Sequence, residues 1–368
     1  MIEEEELRLG LIGTGNIGRA HLSALTSLKT AKLVNFKLAA ISDDDNNSLE
    51  RVAKEYNVPK RYDDYRDLIK DDKVDVIYVC TPTSKHTDIV KAAAEAGKAI
   101  YCEEPLANSC PQARTLMAVT QDANVPSGSG LLLRYDPFIL YAKQILKKHD
   151  FGKPMLAHIR ADHQYSKEYD NLNRWRGERQ IAGGGTLSEH CVHDIDILLW
   201  FFGEITEVQA KVGFIANRGV EDIASLTMIH ENGSMSTLDS IWHDIERPDE
   251  RRIELFFEKG VITITLESGN RHLDYHLKGE SPVRIHSETA DLALLDHLGV
   301  PQNGVSPDIY GVLIDSDSSR YAALSYSFLN SIKSGEIPTP NFSDAVTAHR
   351  IIDAAYDSAN IETSVKIL

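Results

Sequence analysis

The chain has 368 residues, of which 42% are hydrophobic and 26% are charged, and its formal net charge is -16. Length favours two or three domains, and a chain of this size buries a large core without needing a disulfide or a metal. The acidic charge argues against nucleic acid and anionic membranes as partners, because both require a basic face.

The cysteines and the first residues indicate a compartment. The four cysteines match no zinc or redox spacing, and no CxxC is present: Cys80, Cys102, Cys110 and Cys191. The chain begins MIEEEELRLGLIG, which lacks the basic region of a signal peptide, and no apolar run reaches the ~18 residues of a membrane helix. We therefore expect reduced thiols and a cytoplasmic protein.

The first 130 residues alternate short apolar runs with amphipathic segments. Leu7–Ile12 is typical of a buried strand, and apolar residues at helical spacing follow from Asn16 to about Leu28. Further strands are predicted at 36–42, 74–80, 99–102 and 127–133, and helices at 49–56, 86–96 and 113–123. This alternation implies crossover connections and a parallel sheet.

The second half has a different pattern. Apolar and polar residues alternate, with tight turns between the runs, in segments 154–163, 208–214, 224–230, 234–238, 253–257 and 261–266. Consecutive strands joined by tight turns form antiparallel sheets. We therefore predict an α/β domain at 1–130 and an α+β domain at 131–368 with a large, mostly antiparallel, open-faced sheet and a closing helix at 343–358. An exposed apolar sheet face predicts a homodimer or homotetramer through this domain.

A glycine-rich turn follows the first strand. Gly13, Thr14, Gly15, Asn16, Ile17 and Gly18 fit the pattern G-x-G-x-x-G. The first glycine makes the turn, the second admits a pyrophosphate to the backbone, and the third lets the helix pack on the strand. In this position the motif predicts a Rossmann domain that binds a dinucleotide.

The end of the second strand indicates which dinucleotide is bound. Asp43 is placed to bind the adenosine ribose hydroxyls, and Asp44 and Asp45 follow it directly. A 2′-phosphate would meet these carboxylates, so NAD is favoured over NADP. The alternative is that the acidic run is only a solvated loop.

Two further segments carry a family resemblance. One is Tyr101-Cys102-Glu103-Glu104-Pro105, and the other runs from Gly183-Gly184-Gly185 through Glu189 and His193 to Asp196. Together with the glycine turn, Thr81-Pro82 and His86, they resemble the Gfo/Idh/MocA oxidoreductases, which include inositol dehydrogenase and glucose-fructose oxidoreductase. The resemblance covers nearly the whole chain.

The resemblance implies roles for particular residues. The family's E-K-P pattern reads Glu103-Glu104-Pro105 here, so Glu104 stands at the lysine position, while Glu189 and His193 stand at those of the catalytic aspartate and histidine. Cofactor contacts are implied for Thr81, Pro82, His86 and Glu103. Arg134 also falls at a matching position, and it is a candidate substrate-binding residue together with Trp175, Arg176, Glu104 and His193.

The Glu189 and His193 pair also makes chemical sense without the family. In a regular helix from Thr186 to Leu199, residues four apart lie on one face within contact distance. A carboxylate beside an imidazole orients it, and the pair can accept a hydroxyl proton as hydride leaves. The alternative for such a pair is a surface ion pair.

Glu104 departs from the family pattern. Three explanations remain open: Glu104 is a base or binds a hydroxyl, the substrate is positively charged, or catalysis is weak or lost. A replacement cation has several candidates: Lys85, Arg134, Arg174 and Arg176. Trp175 is either a platform for a sugar ring or the buried anchor of its loop.

The sequence therefore predicts an NAD-dependent dehydrogenase acting on a secondary alcohol of a sugar, sugar derivative or cyclic polyol. No metal is implied, because hydride transfer from a carbinol carbon needs none and the histidines form no ligand pattern. The main alternative is an NAD-binding sensor or regulator with weak or no activity, which the missing lysine favours. A third possibility keeps NAD tightly bound while it cycles between two sugars.

Overall fold

The computed structural model describes residues 6–165, 174–266, 269–300, 307–315 and 318–367. These residues form two compact units. The first contains residues up to 107, residues 111–132 and the described part of 301–346. The second contains residues 108–110, the described part of 133–300 and residues 347–367.

The strands, in chain order, are as follows: β1 Leu7–Ile12, β2 Phe36–Ser42, β3 Lys60–Tyr62, β4 Val76–Val79, β5 Ala99–Cys102, β6 Ser127–Ser129, β7 Pro154–Gln164, β8 Ile205–Gly213, β9 Ile223–His230, β10 Met235–His243, β11 Glu250–Phe257, β12 Gly260–Leu266, β13 His272–Leu277, β14 Val283–Ile285 and β15 Val365–Lys366. The α-helices are α1 Asn16–Thr30, α2 Asn46–Glu55, α3 Tyr65–Lys70, α4 Thr83–Glu95, α5 Cys110–Asp122, α6 Pro137–Lys148, α7 Arg179–Ala182, α8 Cys191–Phe202, α9 Ser287–His297, α10 Pro307–Tyr310, α11 Ser319–Ser334 and α12 Phe342–Ile361.

The first unit is built on a parallel sheet. Within the described residues it has the strand order β3-β2-β1-β4-β5-β6, with every pair parallel. Strands β4 and β5 are buried along their whole length, as expected for strands covered by helices on both faces. The order reverses beside β1, so the loops after β1 and β4 lie at the switch point where such sheets bind their ligands.

The second unit is built on a larger sheet. Its described strands follow the order β14-β13-β12-β11-β7-β10-β9-β8-β15, and all neighbours are antiparallel except β7 and β10. Alternate residues of β7, such as Ala157 and Ile159, are buried, and α8 packs against β7 and β10. On the same strand Leu156 and Arg160 are exposed, so one face is core and the other carries exposed side chains. The expected fold class is confirmed.

The division between the units differs from the expected boundary. The sequence assigned all of 131–368 to one domain, whereas α11 belongs to the first unit. On α11, Phe328 packs edge-on against Tyr78 and Tyr101, and Tyr321 packs against His21 with ring centroids 5.0 Å apart. These buried aromatic contacts bring the chain back to the first sheet.

No helix in the described part of the chain is both long and apolar enough to cross a membrane.

Candidate active site

Three glycines shape the loop after β1, for two different reasons. Gly13 has φ +95°, and a Cβ there would lie 2.5 Å from the carbonyl oxygen of Cys80. A Cβ on Gly18 would lie 1.9 Å from the carbonyl oxygen of Gly13, so only glycine lets α1 pack this closely. A Cβ on Gly15, by contrast, would meet no described atom within 4 Å. Internal packing therefore explains Gly13 and Gly18, while Gly15 leaves the backbone open to a ligand.

The surroundings of Gly15 fit the pyrophosphate of a dinucleotide. Gly15 caps α1, no side chain caps the first N–H groups of this helix, and its first turn carries no acidic residue. The hydroxyl of Thr81, in the loop after β4, is buried and has no hydrogen-bond partner among the described residues. Free N–H groups at a helix start bind anions, and a buried hydroxyl without a partner suits a bound ligand.

Asp43 lies against the glycine loop. Its Oδ2 accepts hydrogen bonds from the backbone N–H of Thr14 at 2.6 Å and from the Thr14 hydroxyl at 2.7 Å. Its Oδ1 accepts from the N–H of Asp45 at 2.9 Å, and Asp45 in turn caps α2. Asp44, beside it, is exposed. Carboxylates therefore border the loop where β2 ends.

His86 joins two loops of the first unit. Its Nδ1 lies 3.0 Å from the carbonyl oxygen of Pro105, and its Nε2 lies 2.9 Å from that of Thr81. Burial lowers the pKa of His86, and the two carbonyl contacts act in the opposite direction. His86 therefore holds the Thr81-Pro82 loop beside the Glu104-Pro105 loop.

The carboxylate of Glu103 is occupied within the first unit. Its Oε1 pairs with Nε2 of His21 and accepts a hydrogen bond from the Tyr101 hydroxyl at 3.2 Å. Glu103 is 5% exposed and His21 is fully buried. The expected cofactor contact by Glu103 stays a prediction, whereas its contact with His21 joins α1 to the end of β5. Glu104, the next residue, is half-buried.

In the second unit, the candidate catalytic residues lie where two kinds of helix meet. The sequence predicted one regular helix from Thr186, but Thr186–His190 forms a π-helical turn and α8 starts at Cys191. The N–H of Cys191 bonds to the carbonyl oxygen of Thr186, five residues back. Glu189 lies in this wider turn and His193 in the first turn of α8, so the i,i+4 geometry of an α-helix does not apply to them. Such turns are frequent at functional sites.

Arg176 pairs with Glu189. The Arg176 Nε lies 3.0 Å from Oε2 of Glu189, and the two side chains are 18% and 4% exposed. The guanidinium stacks over the ring of Trp175 at 4.5 Å from its centroid. His193, further along, is 9% exposed. The second unit thus brings Trp175, Arg176 and Glu189 together as one group.

The other candidate cations are placed differently. Lys85 is exposed. Arg134 makes a bidentate pair with Asp196, from its Nε to Oδ2 at 2.8 Å and from its Nη2 to Oδ1 at 2.6 Å. The side chain of Arg174 lies outside the described residues. Arg176, in contrast, is paired with the residue at the family's aspartate position.

Sequence reasoning missed a buried ion pair behind α8. The Arg251 Nε lies 2.7 Å from Oδ1 of Asp194, with side chains 3% and 0% exposed, and the Arg251 Nη2 lies 2.9 Å from Nε2 of His190. A signal was available, because Arg251 alternates in phase with the buried Ile253 and Leu255 on β11. An arginine on the buried face of a strand requires a buried acidic partner.

Sequence reasoning also missed Glu221. This side chain is fully buried just before β9, and it accepts hydrogen bonds from backbone N–H groups at the start of the π-helical turn. No periodic pattern in the sequence marks it.

Comparison with known proteins identifies the family of the chain. Residues 7–130 match a family model described as "Oxidoreductase family, NAD-binding Rossmann fold", and residues 139–263 match the "GFO/IDH/MocA C-terminal domain". An uncharacterized oxidoreductase, YrbE, of Bacillus subtilis is 30% identical over 70% of this chain and 73% of its own length. An inositol 2-dehydrogenase of Rhizobium meliloti is 24% identical over 98% of this chain and 99% of its own.

Solved structures show the same fold. A levoglucosan dehydrogenase in complex with NADH superposes with a TM-score of 0.86 at 21% identity, covering 99% of this chain and 100% of that one. An oxidoreductase from Agrobacterium radiobacter, in complex with NAD+ and L-tartaric acid, reaches 0.82 at 20% identity over 99% of each chain. Together with the family models and the 30% identical relative, these likenesses show that the chain belongs to the GFO/IDH/MocA family of NAD-binding oxidoreductases.

Proposed function

We propose that this protein is an NAD-dependent dehydrogenase that moves hydride between a secondary alcohol of a sugar or cyclic polyol and nicotinamide. The observation that carries the proposal is the π-helical junction: it sets a buried histidine, His193, one turn after a buried carboxylate, Glu189, that is already paired with Arg176. The names of relatives support the substrate class, because they include dehydrogenases of inositol and of levoglucosan.

The reaction divides between the cofactor and the protein. Bound NAD supplies the acceptor for the hydride that leaves the carbinol carbon. His193 accepts the hydroxyl proton of the alcohol as the C–O bond of the substrate becomes a carbonyl. His193 then releases this proton to solvent after the product leaves. Glu189 stabilises the imidazolium that forms, and Arg176 holds Glu189 in position. Trp175 offers its ring to an apolar face of the sugar.

The cofactor preference rests on the end of β2. Asp43 would bind the ribose hydroxyls of NAD, and with Asp44 it would repel the 2′-phosphate of NADP. Gly15 and the free N–H groups of α1 would hold the pyrophosphate, and Thr81 would contact the dinucleotide from the next loop. We therefore expect a kcat/KM for NAD at least about tenfold above that for NADP, a difference of about 1.4 kcal/mol.

The role of Glu104 and the assembly state complete the proposal. Glu104 serves as a base or binds a substrate hydroxyl, in place of the lysine of the family pattern. The exposed face of the second sheet carries Leu156, Met235 and Phe256, and it supports a homodimer or homotetramer. The cytoplasmic location stays a prediction, compatible with four buried cysteines that form no disulfide.

The test is steady-state kinetics of the wild type and His193→Ala with NAD and NADP. The proposal predicts that His193→Ala loses about 100-fold or more in kcat while it still binds NADH like the wild type. Wild-type kcat in His193→Ala would remove His193 from the chemistry.

A further inference from the structure

Glu221 is a buried carboxylate that forms hydrogen bonds to the start of the π-helical turn, Thr186–His190. Its Oε1 accepts hydrogen bonds from the N–H of Gly185 at 2.7 Å and from the N–H of Leu187 at 3.1 Å. Its backbone carbonyl oxygen accepts from the N–H of Thr186 at 3.0 Å. One residue from another part of the chain thus satisfies three successive N–H groups.

These N–H groups open the π-helical turn, and no local side chain caps them. Uncapped N–H groups at a helical N-terminus carry partial positive charge, so a buried carboxylate there both satisfies them and interacts favourably with that charge. The hydroxyl of Tyr356, on α12, donates to the same Oε1 at 2.6 Å and fixes the carboxylate from the other side.

The glycine run before the turn is shaped by these partners. A Cβ on Gly185 would lie 2.0 Å from the carbonyl oxygen of Glu221, and a Cβ on Gly184 would lie 1.9 Å from the hydroxyl of Tyr356. Two glycines of this motif are therefore required by close packing against Glu221 and Tyr356.

The hydrogen bonds of Glu221 are connected to the candidate catalytic residues through Gly185. The N–H of Glu189 bonds to the carbonyl oxygen of Gly185 at 2.8 Å, and Ser188 bonds to the same oxygen at 3.1 Å. Glu189 is therefore held by the residue that Glu221 holds, and His193 follows in the first turn of α8. We propose that Glu221 is a positioning residue, which sets Glu189 and His193 for proton transfer by fixing the backbone of Gly185–Leu187. The inference rests on the proposed function.

The test compares Glu221 with its neighbour. Asp222 is also buried, but it accepts from the N–H groups of Ile215 and Ala216, in a different loop. Glu221→Ala and Asp222→Ala therefore each remove a buried carboxylate that binds backbone N–H groups. Glu221→Ala releases the N–H groups of Gly185 and Leu187, whereas Thr186 keeps its bond to the backbone carbonyl oxygen of residue 221. Glu221→Gln keeps an oxygen acceptor and is the conservative rescue.

Two readouts are measured on the NADH-bound protein. Amide hydrogen exchange over residues 185–190 should accelerate in Glu221→Ala and remain slow in Asp222→Ala. The kcat should fall about 100-fold in Glu221→Ala, as a misplacement of about 1 Å costs, with an unchanged KM for NAD. Glu221→Gln should recover most of the kcat. If Glu221→Ala does not fold, Tyr356→Phe replaces it, because it removes one donor to the same oxygen.

Each outcome decides the inference. The inference is supported if amide exchange accelerates and kcat falls in Glu221→Ala but not in Asp222→Ala. Wild-type kcat in Glu221→Ala, or an equal fall in Asp222→Ala, overturns it. If the wild type binds NADH but turns over no substrate, the proposed function fails independently of this inference. Unchanged exchange at 185–190 in Glu221→Ala would then still show that Glu221 does not fix the backbone there.

Discussion

At the scale of single residues, the glycine turn separates internal packing from ligand binding. The backbone of Gly15 has φ -67°, which any residue adopts, and its missing Cβ faces open space. Gly15→Ala should therefore fold normally but weaken NADH binding by about tenfold or more, since the added methyl occupies the pyrophosphate approach. NADH fluorescence titration and thermal unfolding measure both effects.

Gly18→Ala is the matched variant, because its Cβ would lie 1.9 Å from a backbone oxygen. This change should lower the free energy of unfolding by about 1–3 kcal/mol or more. Wild-type NADH affinity in Gly15→Ala would contradict the assignment of Gly15 to the cofactor.

Glu104 gives the second prediction at this scale. Glu104→Gln keeps the shape of the side chain and removes its charge. If Glu104 acts as a base or binds a substrate hydroxyl, the change should lower kcat by at least about tenfold or alter its pH dependence. Glu95→Gln, an exposed residue at the end of α4, is the control. An unchanged kcat and pH profile would place Glu104 outside the chemistry.

The residues predicted from sequence were those with a local signature. Gly13, Gly15 and Gly18 stand in a motif whose geometry depends on neighbours in the chain. The partners of Glu103 and Glu221 are distant: His21 lies 82 residues from Glu103, and Gly185 lies 36 residues from Glu221. Such contacts depend on the tertiary fold, so no local pattern indicates them.

At the scale of elements, α8 is joined to β11 by the buried pair of Asp194 and Arg251. Removing one partner of a buried ion pair leaves the other charge uncompensated, which costs about 3–5 kcal/mol. Arg251→Met should therefore lower the free energy of unfolding by that amount, measured by urea denaturation. The control is Arg252→Met, since Arg252 is 49% exposed and its loss should change stability by no more than about 0.5 kcal/mol.

A double variant refines this prediction. Asp194→Leu combined with Arg251→Met removes both charges and should recover most of the lost stability. An equal effect of Arg251→Met and Arg252→Met would show that the pair does not stabilise α8 against the sheet.

Many strand and helix positions followed from periodicity, including both ends of three strands. Leu7–Ile12, Phe36–Ser42 and Ala99–Cys102 were predicted with the bounds that the structure has. The π-helical turn was missed, because its apolar spacing resembles that of an α-helix. The turn is stabilised by Glu221 and by a hydrogen bond between the hydroxyls of Thr186 and Ser240.

At the scale of the whole molecule, the second sheet predicts self-association. Leu156 of β7 is paired in register with Met235 of β10 and with Phe256 of β11, and these side chains are 38%, 42% and 40% exposed. An apolar cluster on three neighbouring strands favours contact with another copy. Sedimentation velocity at micromolar concentration should show a dimer or tetramer, and Leu156→Glu with Phe256→Glu should shift it towards monomer. A wild-type monomer would contradict this.

The sequence did not reveal which segments of the chain belong to each of the two units. Parallel and antiparallel halves were evident from alternation, but α11 returns to the first unit, where Phe328 packs on Tyr101 of β5 and Tyr321 packs on His21 of α1. Its amphipathic pattern fits packing on either unit, so only the tertiary contacts decide.

The most direct test of the central claim is the absorbance of reduced nicotinamide with purified protein, NAD and a panel of inositols, aldoses, amino sugars and glycosides. Formation of NADH with at least one member, with NADP much less effective, is the result expected of a dehydrogenase of secondary alcohols. Binding of NADH without turnover on any member would contradict the account and make the glutamate at position 104 the mark of a protein that binds the cofactor without using it.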